Sequence, residues 1–188
     1  MSYTIANGWV EQARKAPSPN FSARPDGCCV DLLVIHNISL PPGRYEGQCI
    51  EQFFCNTLDW NAHPFFSEIK GLEVSAHLLV RRDGELLQFV SLTDRAWHAG
   101  SSCFDGRSEC NDYSIGIELE GTDDEDYTPV QYGVLANLTS TLLEEYCAMN
   151  ATRIVGHSDI APGRKTDPGP SFSWEQYRRL LDSPGGLR

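Results

Sequence analysis

The sequence predicts an α/β fold, a layered sheet with helices packed against it, in preference to a β-sandwich or a helical bundle. Three observations carry this. Short apolar runs of strand length recur, two capped segments of helical length stand near the C-terminal end, and the two kinds are interleaved along 188 residues. With 40% hydrophobic residues the chain can bury a core of its own, so one domain spanning 1–188 is expected.

After a Pro-rich lead-in, "DLLVIHN" (31–37) is a continuous apolar run that ends in polar residues, the pattern of a buried central strand, with His36 at its polar end. "SLPPGRYEG" reads as a loop, and "QCIEQFFCNTL" as a short helix with Ile50, Phe53 and Phe54 on one side. "VSAHLLVRRDGELLQFVS" is a hairpin turned at Asp83-Gly84, a dipeptide that tight turns favour. In "YSIGIELEG", Ile115, Ile117 and Leu119 alternate with Gly116, Glu118 and Glu120, which makes a strand with its glutamates on the face opposite the isoleucines. Thr128 caps the next helix, Pro129 takes its first turn and Gln131 the capping-box position, and Val134, Leu135, Leu138 and Leu142 form its buried stripe. "TRIVGHS" is a further short strand, and "SWEQYRRLL" a closing helix capped by Ser173 with Gln176 three residues on.

Fifteen Lys and Arg against 26 Asp and Glu leave a formal charge of -11, which repels nucleic acid and anionic membrane surfaces. "GTDDEDYTP" reads as a solvated turn ahead of the helix cap. The opening stretch lacks the apolar core of a signal peptide, and no run approaches the roughly 18 apolar residues of a membrane span. Seven cysteines, an odd number without a CxxC pair, indicate neither a disulfide framework nor a cysteine zinc knuckle. A cytoplasmic chain with reduced thiols is expected.

Of the five histidines, His36, His63, His77, His98 and His157, the first and last fall where strands run out into loops, the place where open α/β sheets put their sites. The loop "GHSDIAPGRKTDPG" adds Asp159 and Asp167 close to His157. His157 and Asp159, two apart, would share a strand face. Two histidines and one carboxylate with a position left open are a known catalytic zinc arrangement, and such a site activates water near neutral pH. Spacing leaves open whether Asp159 or Asp167 completes the set. Hydrolysis also needs a carboxylate to move the proton of water, for which Glu118 is a candidate, and a cation for the developing oxyanion, for which Lys165 is one. The ordinary alternatives are a solvated strand face for Glu118 and a loop charge for Lys165. No GxSxG elbow, phosphate loop or dinucleotide fingerprint is present.

Taken together, "LLVIHNISLPPG", "VSAHLLVRRDGELLQFV", "RAWHAG", "CNDYSIGIELEGTD" and "GHSDIAPGRKTDPG" resemble the zinc amidases of the AmpD type, which act on 1,6-anhydro-N-acetylmuramyl-L-alanine and share their fold with phage lysozyme-like amidases and peptidoglycan recognition proteins. The resemblance runs from about Gly8 to Arg179 in one register. It implies a mixed central β-sheet flanked by helices, and one zinc ion held by His36, His157 and Asp167, with Asp159 shaping the loop and His77 and His98 outside the ligand set. It implies Glu118 as general base and Lys165 as oxyanion partner. It also implies a groove in which Asn37, Trp97 and His98 meet the substrate, Trp97 by stacking on a sugar face. Arg107 and Arg164 are the arginines available to the carboxylates of a stem peptide, whereas Glu73 or Glu109 would repel it.

The implied reaction is hydrolysis of the amide between the lactyl group of anhydro-muramic acid and L-alanine in muropeptides, during peptidoglycan recycling, by a monomer with no nucleic-acid or membrane partner. Removing these fragments would limit β-lactamase induction. The rival expectations are a non-cutting muropeptide-binding module, which should have lost a ligand, and an amidase of intact murein in the envelope.

Overall fold

The computed structural model describes residues 2–182. Six strands form the central sheet: β1 (Arg14–Lys15), β2 (Leu32–Ile38), β3 (Leu78–Val80), β4 (Leu86–Gln88), β5 (Ser114–Glu120) and β6 (Ile154–Gly156), in the spatial order β6-β2-β5-β3-β4-β1. The β6–β2, β2–β5 and β5–β3 pairs are parallel and β3–β4 is the antiparallel hairpin, so the sheet is mixed, as expected. Gly84 in the hairpin turn has a φ of +90°, a conformation that glycine adopts without the Cβ penalty of other residues.

β2 and β5 lie in the middle of the sheet because both of their faces are apolar enough to be covered. Leu33, Ile35, Ile115 and Ile117 point to one side, where they pack with Leu135, Leu138 and Leu142 of α2 (Pro129–Glu145) and Tyr177 of α4 (Trp174–Leu181). Each of these aliphatic side chains contributes about 1.5–3 kcal/mol through burial. On the other side Leu32 and Val34 meet Tyr113, Val155 and Ile160, while α1 (Cys49–Phe54) sets Ile50, Phe53 and Phe54 against Leu79, Leu87 and Phe89. The Thr128–Gln131 capping box and the Ser173 cap both form. No helix among the described residues is long and apolar enough to cross a membrane.

Two expectations need correction, and one ordinary alternative, the wet face of β5, is set aside. Val134 is not in the fully buried stripe of α2. It is half-buried, with its Cγ2 3.6 Å from where a Cβ on Gly84 would stand, and Tyr132 and Thr139 share the buried face with the leucines. The glutamate face of β5 is not solvated, since Glu118 and Glu120 are 8% and 2% exposed. Finally, the strand ends at Gly156, and residues 157–160 turn into a single helical turn, α3 (His157–Ile160), so His157 and Asp159 share no strand face. Asp159 holds that turn by accepting a 2.7 Å hydrogen bond from the Gly156 N–H.

Candidate active site

His36 leaves β2 on the face opposite α2, and His157 begins α3 at the end of the neighbouring strand β6. The loop after α3 brings Asp167 back to them, with the Ser158 N–H donating to its carbonyl at 2.9 Å. Three atoms converge: His36 Nδ1, His157 Nδ1 and Asp167 Oδ2, each 3.0 Å from the other two. These are the only three His, Cys, Asp or Glu side chains among the described residues grouped so as to hold a metal ion. Sequence spacing left Asp159 and Asp167 as alternatives; the fold turns Asp159 away and brings Asp167 to the cluster.

The outer nitrogens of both imidazoles are engaged. His157 Nε2 lies 3.0 Å from the Ala99 carbonyl, which only accepts, so in the neutral ring the proton is on Nε2 and the Nδ1 lone pair faces the cluster. His36 Nε2 lies 2.9 Å from His98 Nδ1. Desolvation pulls His36 down to about 4, outweighing the acceptor Asp167 that works in the opposite sense, so the ring is neutral near pH 7. Burial raises the Asp167 carboxyl, but a proton shared with the facing His157 and His36 nitrogens outweighs this and holds it below the usual range. Lone pairs gathered this closely repel one another unless a cation or proton lies among them. Their 3.0 Å separations are near the roughly 3.3 Å edge of a tetrahedron with bonds of about 2.0–2.1 Å.

Glu118 stands beside this cluster with Oε2 buried and without a hydrogen-bond partner among the described residues. Burial, and then the charge of Asp167, push its carboxyl well above the ordinary carboxylate range, with Lys165 working in the opposite sense. Lys165 is exposed on the loop before Asp167 and lines the same groove. That groove, about 620 Å³, has a polar end at His36, Glu118, His157 and Asp167, and an apolar end at Leu40, Phe53, Phe65 and Leu72.

Asn37, Trp97 and His98 all line the groove. Asn37 donates from Nδ2 to Asp123 Oδ1 at 2.7 Å, which fixes its amide. Both ring nitrogens of His98 are occupied, by His36 and by Ser114 Oγ at 3.1 Å. Arg107 is not among the residues that line the groove. It stacks 3.7 Å from the Tyr113 ring centroid and meets Asp31 and Cys28, on a short strand paired with Cys103–Phe104. Arg164 lines the groove instead, while its Nη2 donates to the carbonyls of Ala99 and Ser101. Glu73 borders a smaller adjoining groove beside Trp97, and Glu109 pairs with Arg95.

Sequence inspection missed Gly116 and Asn111. A Cβ on Gly116 would come within 2.5 Å of the His98 ring, so the glycine is the slot into which that ring fits. A glycine inside an otherwise alternating strand is the signal for such close approach. Asn111 Oδ1 accepts from the N–H groups of His98 and Ala99 at 3.1 and 2.8 Å, and no local pattern marks it.

Residues 26–170 match the model of the N-acetylmuramoyl-L-alanine amidase family. Over 174 residues the chain is 55% identical to the 1,6-anhydro-N-acetylmuramyl-L-alanine amidase AmpD of Salmonella typhimurium, covering 93% of this chain and 92% of that one. Among solved structures, the crystal structure of a selenomethionine AmpD derivative is similar at a TM-score of 0.92 and 53% identity, over 95% of this chain and 99% of the other. The Escherichia coli amidase AmiD, solved with the substrate anhydro-N-acetylmuramic acid-L-Ala-D-γ-Glu-L-Lys, gives a TM-score of 0.59 at 26% identity, over 95% of this chain and 65% of the other.

Proposed function

The chain belongs to the N-acetylmuramoyl-L-alanine amidase family, and from that premise we propose that it is a zinc-dependent cytoplasmic amidase of anhydro-muropeptides. It cuts the bond between the lactyl group of 1,6-anhydro-N-acetylmuramic acid and L-alanine during peptidoglycan recycling, and so lowers the supply of β-lactamase inducer. The observation that carries this is the meeting of His36, His157 and Asp167 in a groove, next to Glu118, whose buried Oε2 has no hydrogen-bond partner among the described residues. The identity to AmpD supports the choice of substrate. Cysteine usage supports the compartment: all seven cysteines are free.

Two imidazole nitrogens and one carboxylate oxygen suit zinc, and the three-ligand set leaves a coordination position open, as catalytic zinc requires. Zinc bound there supplies Lewis acidity toward oxygen. The remaining work falls to the protein. Glu118 takes a proton from the attacking water and passes it to the departing amine of L-alanine, and its raised carboxyl pKa matches the second half of that task. The water oxygen bonds to the lactyl carbonyl carbon, the C–N bond breaks, and the products are a lactyl carboxylate and the ammonium group of L-alanine, which has gained both water protons. Lys165 faces the negative charge that builds on the carbonyl oxygen. Trp97 and the Asn37 amide, oriented by Asp123, hold the sugar.

The test measures zinc per chain and follows stem-peptide release from anhydro-muropeptide and from intact murein in parallel. One zinc per chain with release from the anhydro-muropeptide supports the proposal. A chain that takes up no zinc, or that releases peptide only from intact murein, overturns it.

A further inference from the structure

We infer that the dipeptide His98–Ala99, clamped by Asn111, is a positioning element for both metal-ligating histidines, with His98 Nδ1 receiving the Nε2 proton of His36 and the Ala99 carbonyl that of His157. This rests on the metal-site reading proposed above. The distances are 2.9 Å at His98 and 3.0 Å at Ala99. The Ala99 carbonyl, which only accepts, fixes His157 in the tautomer whose Nδ1 lone pair faces the cluster, and His98 does the same for His36 when its own Nδ1 is the acceptor, which is the role outer hydrogen-bond partners play at metal sites.

The dipeptide is itself held from several sides. Asn111, 5% exposed, spans both of its N–H groups with one side-chain oxygen. The ring of His98 is fixed by Ser114 Oγ at 3.1 Å on Nε2 and sits in the slot left by Gly116. It meets the His36 ring edge-on, at 4.9 Å between centroids and 85° between planes. Two proton orders satisfy these contacts, and the metal-site reading selects one. His36 Nε2–H donates to His98 Nδ1, and His98 Nε2–H donates to Ser114 Oγ. The opposite order would put a proton on His36 Nδ1 and remove a lone pair from the metal cluster. His98 is therefore assigned to holding a ligand, not to hydrogen bonding with substrate, although it lies in the groove wall.

The experiment measures zinc affinity by competition with a chromogenic chelator for the wild type, His98→Ala, His98→Asn and Asn111→Ala. The Oδ1 of an asparagine at 98 takes the place of Nδ1 as acceptor. Affinity is expected to fall about 10- to 100-fold in His98→Ala and in Asn111→Ala, and to return to within about threefold of wild type in His98→Asn. The second measurement is the ring ¹⁵N spectrum of the wild type, in which His36 is expected to carry its proton on Nε2. It decides the matter even if the alanine variants do not fold. Unchanged affinity in His98→Ala, an asparagine variant as weak as the alanine one, or a proton on His36 Nδ1 overturns the positioning role while leaving the metal site intact. A wild-type chain that takes up no zinc overturns the metal site and, with it, this role.

Discussion

Glu118 and His36 face each other in register across the parallel β2–β5 pair, so their side chains leave the sheet side by side on the face away from α2. A sheet ladder, and not a loop, sets the spacing between the residue read as proton carrier and the residue read as ligand. Sites built on such elements hold their geometry better than sites on loops.

Replacing Glu118 by glutamine keeps the shape of the side chain and removes its capacity to carry a proton. Zinc content is expected to stay at the wild-type level while kcat for anhydro-muropeptide falls by about 10²- to 10⁴-fold. Steady-state kinetics alongside metal analysis check this; near-normal turnover in the zinc-loaded variant would assign the proton transfer elsewhere.

Asp167→Ala and Asp159→Ala form a matched pair within one loop. The first removes an oxygen of the converging set and is expected to abolish zinc retention and activity. The second removes the acceptor of the Gly156 N–H and is expected to cost about 0.5–2 kcal/mol of stability with zinc retained. Metal content after dialysis and urea denaturation distinguish them, and the reverse pattern would show the ligand misassigned.

Gly116→Ala puts a methyl group within 2.5 Å of the His98 ring, in the middle of a buried strand. A loss of about 1–3 kcal/mol is expected from overpacking. Urea unfolding of the metal-free protein reads it directly, and a neutral result would mean that the slot has slack.

His77 is fully buried, and desolvation, then the charge of Arg24, lower it to about 3. In the unfolded chain its pKa is about 6.5. The folded state therefore favours the neutral ring. The stability this provides is complete above about pH 6.5 and is lost as pH falls toward 3, at up to about 1.4 kcal/mol per pH unit. The advantage of wild type over His77→Gln is expected to shrink across that window. Denaturant melts at several pH values in the presence of a chelator measure it, and parallel curves for the two proteins would count against the assignment.

Much of the fold was legible because its signals are local. The apolar run at 32–35, the Asp83-Gly84 turn and the caps at Thr128 and Ser173 each depend on a few neighbouring residues, and each appears where expected. The alternation in β5 correctly put Glu118 and Glu120 opposite the isoleucines, but whether that second face is wet or covered depends on loops far away in sequence. For the same reason charge alone makes Arg107 a candidate, whereas its approach to Asp31, 76 residues earlier in the chain, is set by packing.

The sequence by itself determined the α/β class, the succession of elements and the residue types of the site, since hydrophobic period, turn chemistry and side-chain donors are properties of short stretches. Only the tertiary structure decided which of those side chains meet. His36 and His157 are 121 residues apart, and it is the parallel pairing of β6 with β2 that brings them together. Asp167, rather than Asp159, joins them because the chain turns helical at His157 and commits Asp159 to the Gly156 N–H. The supports at His98, Ala99, Asn111 and Gly116 are likewise products of packing, because a hydrogen bond between distant segments is specified by their three-dimensional approach and leaves no periodic trace in either.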